Sequence, residues 1–383
     1  MRLALRAFTL CAALVVAACA TGPIPGNDVR VEVRTDFPAG SQLAEVSPPG
    51  DSVRVRIVPE AEPINPSPWY ALSITAERST DLDLVLDYGR YRHRYRPWIS
   101  RTDGGWELVA DDRVSLVGDG EQARIRLVVS AGETVVAAQP IVDGGVYEAW
   151  YEAWFAHNPG LVRETVGQSS DGRDLDAFTL LADEPRSGRP LLIILGRQHP
   201  PEVTGAFALD GFVQAALRQS ANAPLPFDLV ILPLLNPDGV ALGYWRMNTS
   251  GLDLNRDWLL RREAETQAAW TYLQSLGLED RDRVVMIDFH STRSDRLYLD
   301  QYGAGDWRGG LLDAWLADIR IRGGDATPEP RVTQSEGGNT AKAVFANEIG
   351  ALALTWETGD NTLPAAASDA GATGFDALMA SWH

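Results

Sequence analysis

Leu191-Leu192-Ile193-Ile194-Leu195, followed by Gly196-Arg197-Gln198-His199-Pro200-Pro201-Glu202 and then the helical stretch Val203–Arg218, decides the fold of this chain. An apolar run of five residues that shows no alternation is a strand buried on both faces. The two prolines keep the following turn extended until a helix can begin, which places Glu202 in the first helical turn. The same unit recurs downstream. Leu229–Leu235 precedes the helical stretch Arg261–Leu276, Val284–Phe289 precedes Leu311–Ile321, and Leu352–Trp356 comes last. Alternating strands and helices predict a mixed, mostly parallel sheet with helices on both faces. Ligands of such sheets gather beyond the carboxyl ends of the strands. The residues there are His199 with Glu202, Asn236, His290 and Glu357.

Upstream the period changes to two. Val29, Val31 and Val33 alternate with polar residues, as do Val53, Val55 and Ile57, then Leu82, Leu84 and Leu86, then Ile125 and Leu127. This pattern, punctuated by Pro, Gly and Asp, predicts an antiparallel β-sandwich over residues 29–142, with the α/β domain over 143–383. Within the sandwich, Gly89–Arg101 reads as a strand carrying Arg90, Arg92, Arg94 and Arg96 on one face. That face is either an anion-binding strip or a solvated surface balanced by nearby acids.

The chain has 383 residues, which suits two domains. It has 34 basic and 52 acidic side chains, a formal charge of −18 that repels phosphate backbones and argues against nucleic acid as a partner. Two cysteines and five histidines exclude a four-cysteine zinc site and a disulfide framework. Both cysteines, Cys11 and Cys19, lie in an N-terminal stretch with Arg2 and Arg6 ahead of the apolar run Ala7–Ala18. That run is too short to span a bilayer and reads as a signal peptide over residues 1–18. Val16-Ala17-Ala18-Cys19 resembles the lipobox of bacterial lipoproteins. The resemblance implies lipidation of Cys19, a membrane tether and a periplasm-facing, outer-membrane location, with a linker over 19–28. The alternative is a plain secretory signal.

The acids and histidines at the strand ends define a chemistry. His199, Glu202 and His290 supply three ligands, and water would leave a tetrahedral zinc ion with one open position, as catalytic sites require. Zinc lowers the pKa of its water and polarises a carbonyl, which suits hydrolysis. Glu357 is the acid available as general base.

Between the histidines run Asn236-Pro237-Asp238-Gly239, Trp245-Arg246-Met247-Asn248 and Gly251-Leu252-Asp253-Leu254-Asn255-Arg256-Asp257-Trp258, and Gly167–Arg173 precedes them. With these motifs the sequence resembles the zinc carboxypeptidase family, the carboxypeptidase A-like metallopeptidases. Arg197–Glu202 and Asn255–Trp258 behind a β-domain look most similar to the cytosolic carboxypeptidase branch. The resemblance implies one zinc ion per chain on His199, Glu202 and His290, and Glu357 as base. It implies that Asp253 orients the first histidine, that Arg246 steadies the oxyanion, and that Asn255 and Arg256 grip the carboxylate of a peptide's C-terminus. The family's tyrosine ahead of the base is missing from Val332–Thr340. Lys342 stands where members place their specificity residue, as a cation for acidic side chains or as a solvated surface lysine. The expectation is a metallocarboxypeptidase. The alternatives are a zinc amidase trimming cell-wall peptides and a catalytically silent peptide-binding lipoprotein.

Overall fold

The computed structural model describes residues 19–24, 29–101, 105–182, 188–323, 328–333 and 335–382. The predicted signal peptide lies outside them. Among the described residues no helix is long and apolar enough to cross a membrane.

The first eleven strands are short and alternately buried. They are β1 (Cys19–Ile24), β2 (Val29–Arg34), β3 (Glu45–Val46), β4 (Val53–Arg56), β5 (Ala71–Ala76) and β6 (Thr80–Asp87), followed by β7 (Trp98–Arg101), β8 (Trp106–Leu108), β9 (Val114–Val117), β10 (Gln122–Val129) and β11 (Gly132–Ala137). One sheet has the order β1-β2-β5-β11-β7-β8 and the other β3-β4-β6-β10-β9. Val31, Val33, Val53, Val55, Leu84 and Ile125 meet in the core between them, each wholly buried. Burial of such a side chain contributes about 1.5–3 kcal/mol, which is why period two selects this packing.

Three expectations change here. Residues 19–24 are not linker, since β1 pairs antiparallel with β2 along its whole length. The sandwich is not wholly antiparallel. β4 and β6 run parallel, because the chain between them crosses to the opposite sheet to form β5. Nor do Arg90, Arg92, Arg94 and Arg96 share a strand face. Gly89 adopts φ of 62°, in the left-handed region, and breaks the strand, so residues 88–97 form an irregular loop. Each arginine then finds its own acid: Glu62, Asp119, Asp360 and Asp111 in that order.

The second domain begins with α1 (Gly144–His157), capped by the Asp143 carboxylate accepting from the Val146 N–H. Its strands are β12 (Val162–Gln168), β13 (Asp174–Leu180), β14 (Leu191–Gly196), β15 (Asp228–Leu232), β16 (Val284–Thr292), β17 (Arg296–Leu299), β18 (Glu329–Val332) and β19 (Leu352–Gly359). Its remaining helices are α2 (Val203–Asn222), α3 (Pro237–Leu242), α4 (Ala264–Ser275), α5 (Trp307–Gly323), α6 (Ala341–Val344) and α7 (Pro364–Ser381). The sheet order is β12-β13-β15-β14-β16-β19-β17-β18. The central strands β15, β14, β16 and β19 are parallel neighbours, and antiparallel pairs join them to the flanks.

The apolar run of β14 faces both ways. Leu192 and Ile194 pack in a core with α2, α7 and the sandwich, while Leu191, Ile193 and Leu195 pack with α4 and α6. Burial on both faces is the reason these strands show no alternation in sequence. One core therefore runs continuously from the sandwich to one face of the larger sheet.

Candidate metal centre and cleft

β14 ends at Gly196, and the chain turns through Arg197 at φ of 53°, an uncommon conformation for a residue with a Cβ. The turn is held by Arg197, whose Nε donates to Pro200 O at 2.9 Å, and by Asn236, whose Nδ2 donates to Gln198 O at 3.1 Å. Glu202 is the N-cap of α2 but makes no capping bond with its side chain. Its carboxylate turns instead to the two histidines. His199 Nδ1 lies 2.8 Å from Glu202 Oε1, and His290 Nδ1 lies 2.6 Å from Glu202 Oε2. The three residues are buried, and one ligand atom from each lies within 4.8 Å of the others.

The opposite ring nitrogens are held by acids. His199 Nε2 is 2.9 Å from Asp253 Oδ1, and His290 Nε2 is 2.8 Å from Asp288 Oδ2. These contacts fix both rings with Nδ1 aimed at the common centre. Burial opposes charge on His290, yet Asp288 and Glu202 push its pKa well above the ordinary value. Burial likewise opposes charge on Glu202, but the two histidines hold it well below the usual carboxylate range. Burial opposes charge on His199 too, yet Glu202 and Asp253 raise its pKa above the ordinary value. Two nitrogens and one carboxylate in this arrangement fit zinc.

Strand register places the next group. β16 and β19 are parallel neighbours with His290 opposite Glu357, and both strands continue past these residues to Thr292 and Gly359. The sequence suggests strands ending just before the histidine and the acid; instead the ladder runs through them. Among the described residues Glu357 Oε2 is buried without a hydrogen-bond partner. Burial, followed by the charge of Glu202, pushes the Glu357 carboxyl up to about 7.

A cleft of about 480 Å³ joins these groups to Arg246, Asn255, Arg256, Tyr298 and Lys342. Arg246 Nε donates to Asp253 Oδ2 at 2.7 Å, so one carboxylate holds both His199 and the arginine. Asn255 lies on the wall, but its amide is engaged: Oδ1 accepts from Ala341 N–H at 2.9 Å and Nδ2 is 3.2 Å from His290 Nε2. Arg256 is exposed, donating from Nη1 to Asn255 O. Lys342 is not a solvated surface lysine. It is buried, and its ammonium donates to Asp300 Oδ1, Thr333 O and Ser335 Oγ at 3.1, 3.1 and 2.7 Å. Its charge is thereby matched within the protein.

Sequence reasoning missed three contributors. Asp288 had a signal, as the one acid in an apolar strand, two residues before His290 and so on the same strand face. Asp300, the partner of Lys342, had none. Arg94, which comes from the sandwich and lines the cleft with Ser67, reads in the sequence only as one of four arginines on a strand face, with nothing to tie it to the cleft.

The chain is similar to known proteins in sequence and in fold. The zinc carboxypeptidase family profile matches residues 147–307. Cytosolic carboxypeptidase 6 of Mus musculus is 37% identical over 103 residues, 25% of this chain and 19% of that protein. Cytosolic carboxypeptidase 2 of Danio rerio is 30% identical over 128 residues, 32% of this chain and 17% of that protein. The chain thus spans about a fifth of the length of these curated relatives. In fold it is similar to a metallo-carboxypeptidase from Burkholderia cenocepacia, with a TM-score of 0.74 over 92% of this chain and 98% of that one at 19% identity. A metallo-carboxypeptidase from Pseudomonas aeruginosa, solved in complex with (2-guanidinoethylmercapto)succinic acid, gives 0.73 over 91% and 98% at 20% identity. His199, Glu202, Asp253 and His290 all fall inside the matched span, and the chain carries a zinc carboxypeptidase family domain over residues 147–307.

Proposed function

We propose that this protein is a zinc-dependent metallocarboxypeptidase that hydrolyses the C-terminal peptide bond of a peptide with a free terminal carboxylate. The convergence of His199, Glu202 and His290 beside Glu357 carries the reading. One zinc ion per chain, held by those three residues, would supply a polarised, acidified water. Glu357, beside His290 on the neighbouring strand, would take a proton from that water and deliver it to the leaving amine. Arg246, fixed by Asp253, offers its guanidinium to the oxygen that gains charge as the carbonyl becomes tetrahedral. Arg256, exposed at the cleft and bonded to a backbone carbonyl rather than an acid, is placed to take the terminal carboxylate. Asn255 acts with it by shaping the wall, since its amide already serves Ala341 and His290. We propose further that the protein is held at the membrane by lipid on Cys19, which the mass of the mature N-terminal peptide tests.

The test of function is a cycle of two enzymes and two substrates. Wild-type enzyme should prefer a free-acid peptide over its C-terminal amide by about 10-fold or more in kcat/KM, since a bond to a charged group contributes about 1.5–3 kcal/mol. Arg256→Ala should lose activity on the acid and discriminate much less. Because Arg256 is exposed, water relieves it when the partner is absent, so the discrimination stays below that of a buried arginine. Wild-type enzyme that cleaves acid and amide equally well would overturn the carboxypeptidase reading and favour an amidase acting on cell-wall peptides.

A further inference from the structure

The loop that carries Arg246 is held from the other domain. α3 ends at Gly243 in the left-handed region, and the chain then leaves helical geometry. Trp245, Arg246 and Met247 thereby present three consecutive backbone N–H groups, a concavity that suits an anion. One carboxylate fills it. Glu60, in the sandwich loop after β4, accepts from Trp245 N–H on Oε2 at 2.8 Å, and from Arg246 and Met247 N–H on Oε1 at 2.8 and 2.7 Å. The segment is gripped on either side as well. Ala241 O accepts from Ala39 N–H and from Gln42 Nε2 at 3.0 and 3.1 Å, and the Trp245 ring meets the Tyr91 ring edge-on at 5.1 Å.

Resting on the carboxypeptidase reading, we infer that Glu60 is a positioning residue for the reaction: the sandwich sets the oxyanion arginine through the backbone of residues 245–247. The Arg246 side chain is fixed at one point by Asp253, and its main chain is fixed by Glu60. Releasing the backbone leaves the guanidinium tethered but free to swing about that point. An error of about 1 Å in such a group lowers rate by as much as 10²-fold without necessarily weakening ground-state binding. Glu60 thus takes part in catalysis through the chain rather than by touching substrate.

The experiment uses the full chain loaded with zinc. Glu60→Ala should lower kcat by about 10–10²-fold while KM and zinc content change little. Glu60→Gln keeps one carbonyl oxygen, which can still serve Arg246 and Met247, and should recover part of the loss. In an Arg246→Ala background, Glu60→Ala should lower kcat no further, because the group it positions is gone. Wild-type kcat in Glu60→Ala overturns the inference. So does an equal loss in both backgrounds, which would mark a general structural role. A readout independent of turnover is available, since the chain has only four methionines and selective 15N labelling isolates the Met247 amide. Its hydrogen exchange should be slow in the wild type, stay near that rate in Glu60→Gln, which keeps the accepting oxygen, and quicken in Glu60→Ala. Unchanged exchange in Glu60→Ala overturns the inference even if the protein releases no C-terminal residues, an outcome that would separately sink the carboxypeptidase reading.

Discussion

In the proposed reaction Glu357 is the residue on which the chemistry turns, and its surroundings explain both its reach and its proton affinity. It lies on the strand beside His290, its Oε2 lacks a partner among the described residues, and the negative charge of Glu202 disfavours its ionisation. Glu357→Gln keeps the shape and removes the base. It should retain zinc and lose about 10²–10⁴-fold in kcat, the usual weight of general-base catalysis. Wild-type turnover in that variant, measured on a free-acid peptide, would mean that another group takes the proton. Lys342 teaches a different lesson about single residues. Its place in the sequence suggests a free cation for acidic side chains, but Asp300 already answers its charge.

At the scale of elements, the metal centre depends on how closely α2 lies against β16. A Cβ built on Gly205 would sit 2.4 Å from His290 O and 2.6 Å from its carbonyl carbon, both backbone atoms that cannot turn aside. The Gly205 N–H also donates to Ser291 Oγ at 2.7 Å. Gly205→Ala should therefore push the helix that begins at Glu202 away from the strand that carries His290. Zinc affinity, measured by competition with a chelator, should fall about 10–100-fold, as it does when the groups that orient ligands are disturbed. Wild-type affinity would show that the two elements move independently of the ligands. The central strands were legible in the sequence because a strand covered on both faces is an apolar run, and the sandwich because its strands alternate. The Arg90–Arg96 segment misled because period two survives in a loop once Gly89 has broken the ladder. The convergence of His199, Glu202 and His290 was legible because all three follow the apolar runs of central strands. Glu60 and Arg94 were not. They act across domains, and a pairing between residues 60 and 246 leaves no local signature.

At the scale of the molecule, the two domains share one core, and the bonds that pin them include those of Glu60 to the 245–247 backbone and of Arg94 to Asp360. The Arg94 side chain donates to both Asp360 oxygens, at 2.9 and 3.2 Å, while Gln139 Nε2 donates to Asp360 O. Next to Arg94 is His93, which stacks on Tyr70 and lies 2.9 Å from the Tyr88 hydroxyl. Burial pushes its imidazole from 6.5 down to about 4. Between those values the unfolded chain binds a proton that the folded one refuses, so stability is full above pH 6.5 and falls as the pH drops towards 4. The loss is at most about 3 kcal/mol, and partial exposure of the ring reduces it. Wild-type protein should show one thermal transition whose midpoint drops a few degrees further between pH 7 and pH 5 than that of His93→Gln. Parallel midpoints in the two proteins would remove His93 as the cause. The grip of Glu60 on residues 245–247 has a consequence in time as well as space. Chains are made from the N-terminus at roughly 5–20 residues per second, so the 185 residues from Glu60 to Trp245 take roughly 10–40 seconds to emerge. The sandwich is synthesised first, and the loop that carries Arg246 is born into the presence of the carboxylate that will receive it.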